Sequence, residues 1–268
     1  MSELGEIIGR SHRIVFFGGA GVSTESGIPD FRSADGLYTN AGRGQNERVH
    51  YAETKESVEA RSAEHSRESG TTYPPEEVLS HSFFVAYPEE FFTYYKTNLI
   101  HPEARPNTAH LVLAQWERQG ILTSVVTQNI DGLHQMAGSV NVRELHGSVH
   151  RNYCMNCGKR YGLDVVLSAD PIPYCECGGI IRPDVVLYEE SLDEAVMEQS
   201  IREISRADTL IVGGTSLAVY PAAGLLQFFA GANLVLINKD PTPADRKATL
   251  VIHGPIGATF AEFLPVSS

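Results

Sequence analysis

Short wholly apolar runs alternate with stretches in which apolar residues recur every three or four positions. Ile14-Val15-Phe16-Phe17 is the first run, and four consecutive apolar residues in polar surroundings read as a strand buried on both faces. The segments 121–126, 208–212, 234–237 and 250–252 also read as strands, the first two with polar residues among the apolar ones, and 140–144 as a shorter strand. Helical spacing fills the intervals. Residues 2–10 place Leu4, Ile7 and Ile8 on one face. Pro88-Glu89-Glu90 suits a first helical turn, and Phe91, Phe92, Tyr95 and Leu99 follow near one face. Asn107 and Thr108 can start the next helix, Ala109, Val112, Leu113 and Trp116 carry its apolar stripe, and Gly120 stops it. Ser191-Leu192-Asp193-Glu194 has a capping-box pattern ahead of Met197, Ile201 and Ile204, and a terminal helix is expected over 257–264. Roughly six strand runs with helices between them predict an α/β fold, a doubly wound, mostly parallel, Rossmann-like sheet.

Composition sharpens this picture in three places. A chain of 268 residues with 42% hydrophobic content supports one large domain with a smaller module inserted. No window approaches the ~18 apolar residues of a membrane span, and the N-terminus lacks a signal-peptide layout, so a soluble, cytoplasmic protein is expected. The formal charge of −12, from 21 basic and 33 acidic residues, argues against direct nucleic-acid binding. It suits either plain solubility or basic, lysine-bearing partners. Residues 39–72 are charged and poor in large apolar groups, as either a lid with a helical middle or a solvated insertion would be.

The chemistry-bearing residues gather where strand runs end. After the first run comes Gly18-Gly19-Ala20-Gly21-Val22-Ser23-Thr24, small enough for a backbone to approach a phosphate, with Ser23 and Thr24 able to cap a helix facing an anion. The third glycine of the usual dinucleotide fingerprint is absent, its place taken by Thr24, and Gly27-Ile28-Pro29-Asp30-Phe31-Arg32 follows instead. Thr127-Gln128-Asn129-Ile130-Asp131-Gly132-Leu133-His134 follows the second run, at the strand end where open α/β sheets bind ligands. Gly213-Gly214-Thr215-Ser216-Leu217 makes another small-residue turn suited to phosphates or ribose, and Asn238 closes a further strand run. Leu145-His146-Gly147 places an imidazole at a strand end, which suits general-base work, although composition does not choose among the ten histidines. All four cysteines fall in one span: Cys154 and Cys157, then Cys175 and Cys177 after 17 intervening residues. Two thiolate pairs at this separation suit one tetrahedral structural zinc, with no open position left for catalysis.

Residues 18–32, the segment Thr127–His134 and Leu145-His146-Gly147 resemble, in order, signatures of the sirtuins, the NAD-dependent protein deacylases. The resemblance runs from about residue 4 to residue 264 and is weakest over 39–80. It implies that NAD is a consumed substrate, held by Ala20, Thr24, Arg32, Gln128, Thr215, Ser216 and Asn238, with Ala258 against the adenine. By the same resemblance Ile130 and Asp131 hold the nicotinamide carboxamide, Phe31 shields the anomeric carbon, Asn129 orients the ribose and a water, and His146 is the catalytic base. The products would be free lysine, nicotinamide and O-acetyl-ADP-ribose. The segment 180–190 resembles the sirtuin stretch that pairs with an acetyl-lysine peptide, through Val186, Leu187 and Tyr188, and Val219 belongs to the loop flanking that peptide on its other side. The family usually has glycine where this chain has Glu189.

The resemblance divides the chain into a Rossmann-like NAD-binding domain (1–38, 81–147 and 185–268), a cofactor-loop insertion (39–80) and a zinc-binding module (148–184), with ligand between the lobes. Desuccinylating relatives look as though they carry a Tyr and an Arg where this chain has Phe92 and Tyr95. An acetyl or longer neutral acyl group is therefore expected over an acidic one, which would lie unpaired. The same NAD site would also suit a protein mono-ADP-ribosyltransferase, or a non-enzymatic NAD-sensing module. A dehydrogenase is disfavoured, since nothing specifies a hydride acceptor site.

Overall fold

The computed structural model describes residues 2–30 and 73–264. The expectations for Phe31, Arg32 and the 39–72 segment lie outside the described residues.

Helix α1 (Glu3–Arg10) starts at Ser2, whose hydroxyl accepts the Gly5 amide, and buries Leu4, Ile7 and Ile8. Strand β1 (Ile14–Gly18) follows, buried at every position. Alternation along a strand sends successive side chains to opposite faces. Ile14 and Phe16 accordingly enter one core and Val15 and Phe17 another. β1 is central. It pairs in parallel with β2 (Leu122–Thr127) on one side and with β7 (Thr209–Gly213) on the other. Beyond them lie β3 (Val142–Glu144), and β8 (Asn233–Asn238) followed by β9 (Leu250–His253). The order is β3-β2-β1-β7-β8-β9, and every pairing is parallel. The expected mostly parallel sheet is thus wholly parallel, and all its strands deliver their loops to one edge.

Helices α2 (Pro75–Val78), α3 (His81–Ala86) and α4 (Pro88–Asn98) share a core with Val149 and Val166, so that 81–98, expected in the larger domain, packs with the smaller lobe. Their aromatic rings pack edge to face, as at Phe84–Phe91 and Phe91–Phe92, while Tyr95 stacks on Phe91. On the large sheet lies α5 (Thr108–Arg118), opened by a capping box at Asn107. Gly120 follows it with φ +75°, a left-handed conformation that glycine adopts without strain. A short α6 (Leu133–Met136) follows β2.

A second, antiparallel sheet of three strands carries the cysteines: β4 (Gly147–Cys154), β5 (Arg160–Tyr161) and β6 (Ile181–Val185), ordered β5-β4-β6. Helix α7 (Leu163–Ser168) sits between β5 and β6 in sequence. The Lys96 ammonium donates to the carbonyls of Ala169 and Pro171, each at 2.6 Å, and pins α4 to the segment after α7.

Two local expectations change. Strand character over 180–190 ends at Val185, because Glu190 draws the following residues into a turn by accepting the Leu187 amide. Helix α8 (Glu194–Arg206) is capped by Asp193, which accepts the Val196 amide, and not by Ser191. After the 218–223 loop the chain takes a 3-10 helix, Ala222–Phe228. The last helix, α9 (Ile256–Phe260), is followed by a 3-10 turn within the expected 257–264 span. No helix among the described residues is long and apolar enough to cross a membrane.

Candidate active site

A cavity of about 500 Å³ opens along the carboxyl edge of the large sheet and reaches the small lobe. Its floor is a close crossing of two turns. A Cβ on Gly214 (φ +60°) would lie 2.4 Å from the Val22 nitrogen, so glycine alone permits the β1 and β7 turns to touch. The Gly21 amide donates to the Gly214 carbonyl at 2.8 Å across that contact.

The β1 turn does not form the capped α-helix expected of Ser23 and Thr24. It makes two 3-10 turns, Ala20–Val22 and Thr24–Ser26, with no side-chain cap. Thr24 instead donates back to the Gly21 carbonyl at 3.0 Å. Ser23 is turned inward, where its buried hydroxyl donates to Asp131 Oδ2 at 2.6 Å and accepts from Asn129 Nδ2 at 3.0 Å. Asp131 Oδ1 also accepts the Leu133 amide, and the Asn129 amide donates to Thr127 Oγ1. Ser23 thereby joins the β1 and β2 loops, a role that its suitability as a cap concealed. Glu25 was missed for a similar reason. Its carboxylate accepts the Gly257 amide at 2.6 Å and ties the β1 loop to α9.

His146 lies between β3 and β4 on the cavity wall. Its Nδ1 is 2.9 Å from the Gln128 carbonyl, which can only accept, so Nδ1 carries the proton and Nε2 is the acceptor. Burial lowers its pKa from the ordinary imidazole value, and the bond to Gln128 partly opposes that shift. The result is a neutral imidazole with one basic nitrogen.

On the β7 side, Gln128 Nε2 donates to Thr215 Oγ1 at 3.1 Å, and the Thr215 amide donates to Asn238 Oδ1 at 2.9 Å. Asn238 Nδ2 is a buried donor without a partner among the described residues. Ala20, Thr24, Gln128, Asn129, Ile130, Asp131, Thr215, Ser216 and Asn238 all line the cavity, as do Val186, Leu187, Tyr188 and Val219. Ala258 sits on an exposed face of α9 outside that wall, to which the same segment contributes Gly254, Pro255 and Ile256.

At the rim of the cavity, Arg182 donates both terminal nitrogens to Glu190 at 2.7 Å, and His81 meets the same carboxylate at 2.8 Å. Against the opposing effect of burial, these partners hold the Glu190 carboxyl down to about 2. Glu189 has φ +75°, which explains why glycine would be at ease there. Its carboxylate holds that conformation by accepting both the amide and the hydroxyl of Ser82, each at 2.9 Å. Neither acid announced a distant partner in the sequence.

The four cysteine sulfurs lie within 4.8 Å of one another, with Cys154–Cys177 at 3.4 Å and Cys157–Cys175 at 3.7 Å. A tetrahedron of Zn–S bonds of about 2.3 Å has edges of about 3.8 Å, and the donor set fits one zinc ion. The Cys177 amide and the Tyr161 hydroxyl pull the Cys175 thiol down to about 6. The Gly179 amide favours a Cys177 thiolate, but the three neighbouring sulfurs push that thiol up to about 12. A cation at the centre removes this mutual repulsion.

A parallel sheet whose polar loops converge beside a neutral imidazole, with a four-thiolate module alongside, defines an α/β enzyme of the nucleotide-using, zinc-stabilised kind. Residues 19–69 and 63–221 match the Sir2 family, and the chain belongs to it. An NAD-dependent protein deacetylase of Clostridium perfringens is 54% identical over 266 residues, covering 98% of each chain. A solved Sir2 with p53 peptide and NAD⁺ superposes with TM-score 0.77 at 36% identity, over 98% of this chain and 96% of that one. A substituted Sir2 holding deacetylated p53 peptide and 3′-O-acetyl ADP ribose gives TM-score 0.78 at 36% identity, over 97% and 95%.

Proposed function

We propose that this chain is an NAD-dependent protein-lysine deacetylase that spends NAD, releasing nicotinamide and O-acetyl-ADP-ribose as it frees the lysine. The observation that carries this reading is the His146 tautomer. Its Nδ1 proton is committed to Gln128, and its Nε2 is left as a base on the wall of the cavity that Asn129 and Asp131 also line. Relatives named NAD-dependent protein deacetylase, and Sir2 structures with peptide, NAD⁺ and acetyl-ADP-ribose, support the same activity.

In this reading Ala20, Thr24, Gln128, Thr215, Ser216 and Asn238 bind the phosphates and riboses, and Arg32 assists them. Asn238 Nδ2 supplies the free donor for a ribose hydroxyl. Asp131, held by Ser23 and the Leu133 amide, positions the nicotinamide carboxamide with Ile130. Phe31 covers the anomeric carbon, and Asn129 orients the ribose. The acyl oxygen of the modified lysine attacks C1′ as the bond to nicotinamide breaks. His146 Nε2 then accepts a proton from a ribose hydroxyl, whose oxygen bonds the acyl carbon. The lysine nitrogen takes up a proton and leaves, and a water adds to the acyl carbon so that its bond to the C1′ oxygen breaks and the acyl group stays on the ribose hydroxyl oxygen. Holding these groups in one dry cleft supplies most of the advantage. Val186, Leu187, Tyr188 and Val219 flank the peptide. Ala258 would lie against the adenine, in the segment whose Gly254, Pro255 and Ile256 line the cavity.

The large sheet is the NAD-binding domain, and residues 148–184 form the zinc module. Cys154, Cys157, Cys175 and Cys177 hold the metal, which fixes the fold of that module and leaves no coordination site for substrate. Cysteines spent on metal and not on disulfides suit a reducing, cytoplasmic setting.

Mass spectrometry of an acetyl-lysine peptide, with and without NAD, tests the reading. Wild type should yield free lysine, nicotinamide and O-acetyl-ADP-ribose in equal amounts, and His146→Ala should yield almost none. Nicotinamide release that needs no acetylated peptide, with label on the acceptor, would favour ADP-ribosyl transfer instead.

A further inference from the structure

Strand β4 pairs with β6 at Gly147 and Ser148 and again from Asn152, and the residues between them leave the ladder as a bulge. Bulges beside active sites re-aim side chains, and this one turns toward the loop that carries Ile130 and Asp131. The Val149 amide donates to the Ile130 carbonyl at 3.0 Å. His150 Nε2 lies 3.0 Å from the Asp131 carbonyl, which only accepts, so Nε2 carries the proton. The imidazole also rests on the next residue of the loop: a Cβ on Gly132 (φ +72°) would lie 2.6 Å from the ring's Cδ2. The bulge is itself braced. Asn152 Nδ2 donates to the Val149 carbonyl at 3.2 Å, and Arg151 bonds Asp184 at 2.9 Å as well as Glu144. Two successive carbonyls of the loop are thus held from one side. A planar trans peptide points its N–H away from its C=O, so the Asp131 and Gly132 amides face away from β4. The Asp131 carboxylate is fixed separately, by Ser23 and the Leu133 amide.

We infer that His150 is a positioning residue for nicotinamide: it holds the Asp131 peptide from behind and so sets where Asp131 meets the carboxamide. The inference rests on the deacylase reading, in which Ile130 and Asp131 hold that carboxamide. His150 stands outside the cavity wall, so it acts through Asp131 and not on substrate. The Val149 bond is made by the main chain and persists whatever side chain stands there. The His150 bond depends on a side-chain donor, and substitution at this one position isolates it.

The test compares His150→Phe, which keeps a ring over Gly132 but has no donor, with His150→Gln, whose amide nitrogen reaches about as far as Nε2. The readouts are the inhibition constant of nicotinamide, exchange of labelled nicotinamide into NAD, KM for an acetyl-lysine peptide, and Tm. His150→Phe should raise the inhibition constant by about three- to tenfold, the range of one neutral hydrogen bond, and leave peptide KM within about twofold. His150→Gln should bring the inhibition constant back to within about twofold of wild type. A change under about twofold in His150→Phe overturns the inference, and so does an equal rise in both variants, which would assign the effect to packing. A rise in the inhibition constant and peptide KM together, with Tm lower by more than about 5 °C, would mark general loosening and overturn it as well. His150 is exposed, so both variants should fold; should His150→Phe fail to, His150→Ala carries the same expectation. A wild type that neither turns over the acetyl peptide nor exchanges nicotinamide would mark failure of the deacylase reading itself.

Discussion

Replacing Glu190 by Gln tests whether the rim of the peptide cleft is held by charge. The substitution keeps the side chain's size but leaves Arg182, with about 10% of its side chain exposed, facing a neutral amide. Two routes give the magnitude. Breaking a buried ion pair by neutralising one partner costs about 3–5 kcal/mol. The Glu190 carboxyl, held at about 2 against an ordinary 4.5, gives about 3 kcal/mol by linkage, or about 2 after allowing for partial solvent screening. A loss of about 2–4 kcal/mol should lower Tm by about 4–10 °C for a chain of this size. The folded value is depressed, so this stability is fully present above pH 4.5 and disappears as pH falls through about 2. The gap between wild type and Glu190→Gln, measured by urea denaturation, should be constant from pH 7 to 5 and narrow below that. The Leu187 amide would also lose a charged acceptor, so KM for peptide should rise while KM for NAD stays put. A gap under about 0.5 kcal/mol at pH 7, or one that does not narrow in acid, would refute the reasoning.

Other consequences concern the site and the metal. Ser23→Ala removes a hydrogen bond to a carboxylate, worth about 1.5–3 kcal/mol, so kcat should fall by about ten- to a hundredfold and Tm by about 3–10 °C. Equal falls in Ser23→Ala and in a Ser23→Ala/Asp131→Asn double variant would show the two acting as one unit. The acid limb of kcat/KM should lie below the free imidazole value near 6.5, since burial lowers His146, and a limb above pH 7 would contradict the neutral-base assignment. Wild type should carry one zinc per chain by elemental analysis. Cys175→Ser or prolonged chelation should lower Tm by more than about 5 °C, and a chelator without effect on Tm would exclude a structural metal.

What could be read from residues alone followed the range of the signal. The buried strands declared themselves through short apolar runs, four residues long in β1 and β8, and α5 because its cap, stripe and stop lie within fourteen residues (107–120). Paired cysteines are a local pattern as well. The antiparallel sheet was harder to see, since β4 breaks its pairing between Ser148 and Asn152 and never shows a clean alternation. Ser191 and Asp193 both fit a helix start, and only the backbone chose Asp193. Ser23, Glu25 and Glu189 act on partners about a hundred or more positions away, and no window of sequence contains both ends of such a bond.

The bonds at Ser23 also impose a polarity. A hydroxyl owns a single proton, and the Asp131 carboxylate claims it, so the Asn129 amide can approach only nitrogen first. Its oxygen must then point away from Ser23. One negative charge thus decides, through the Ser23 hydroxyl, which way round the Asn129 amide lies.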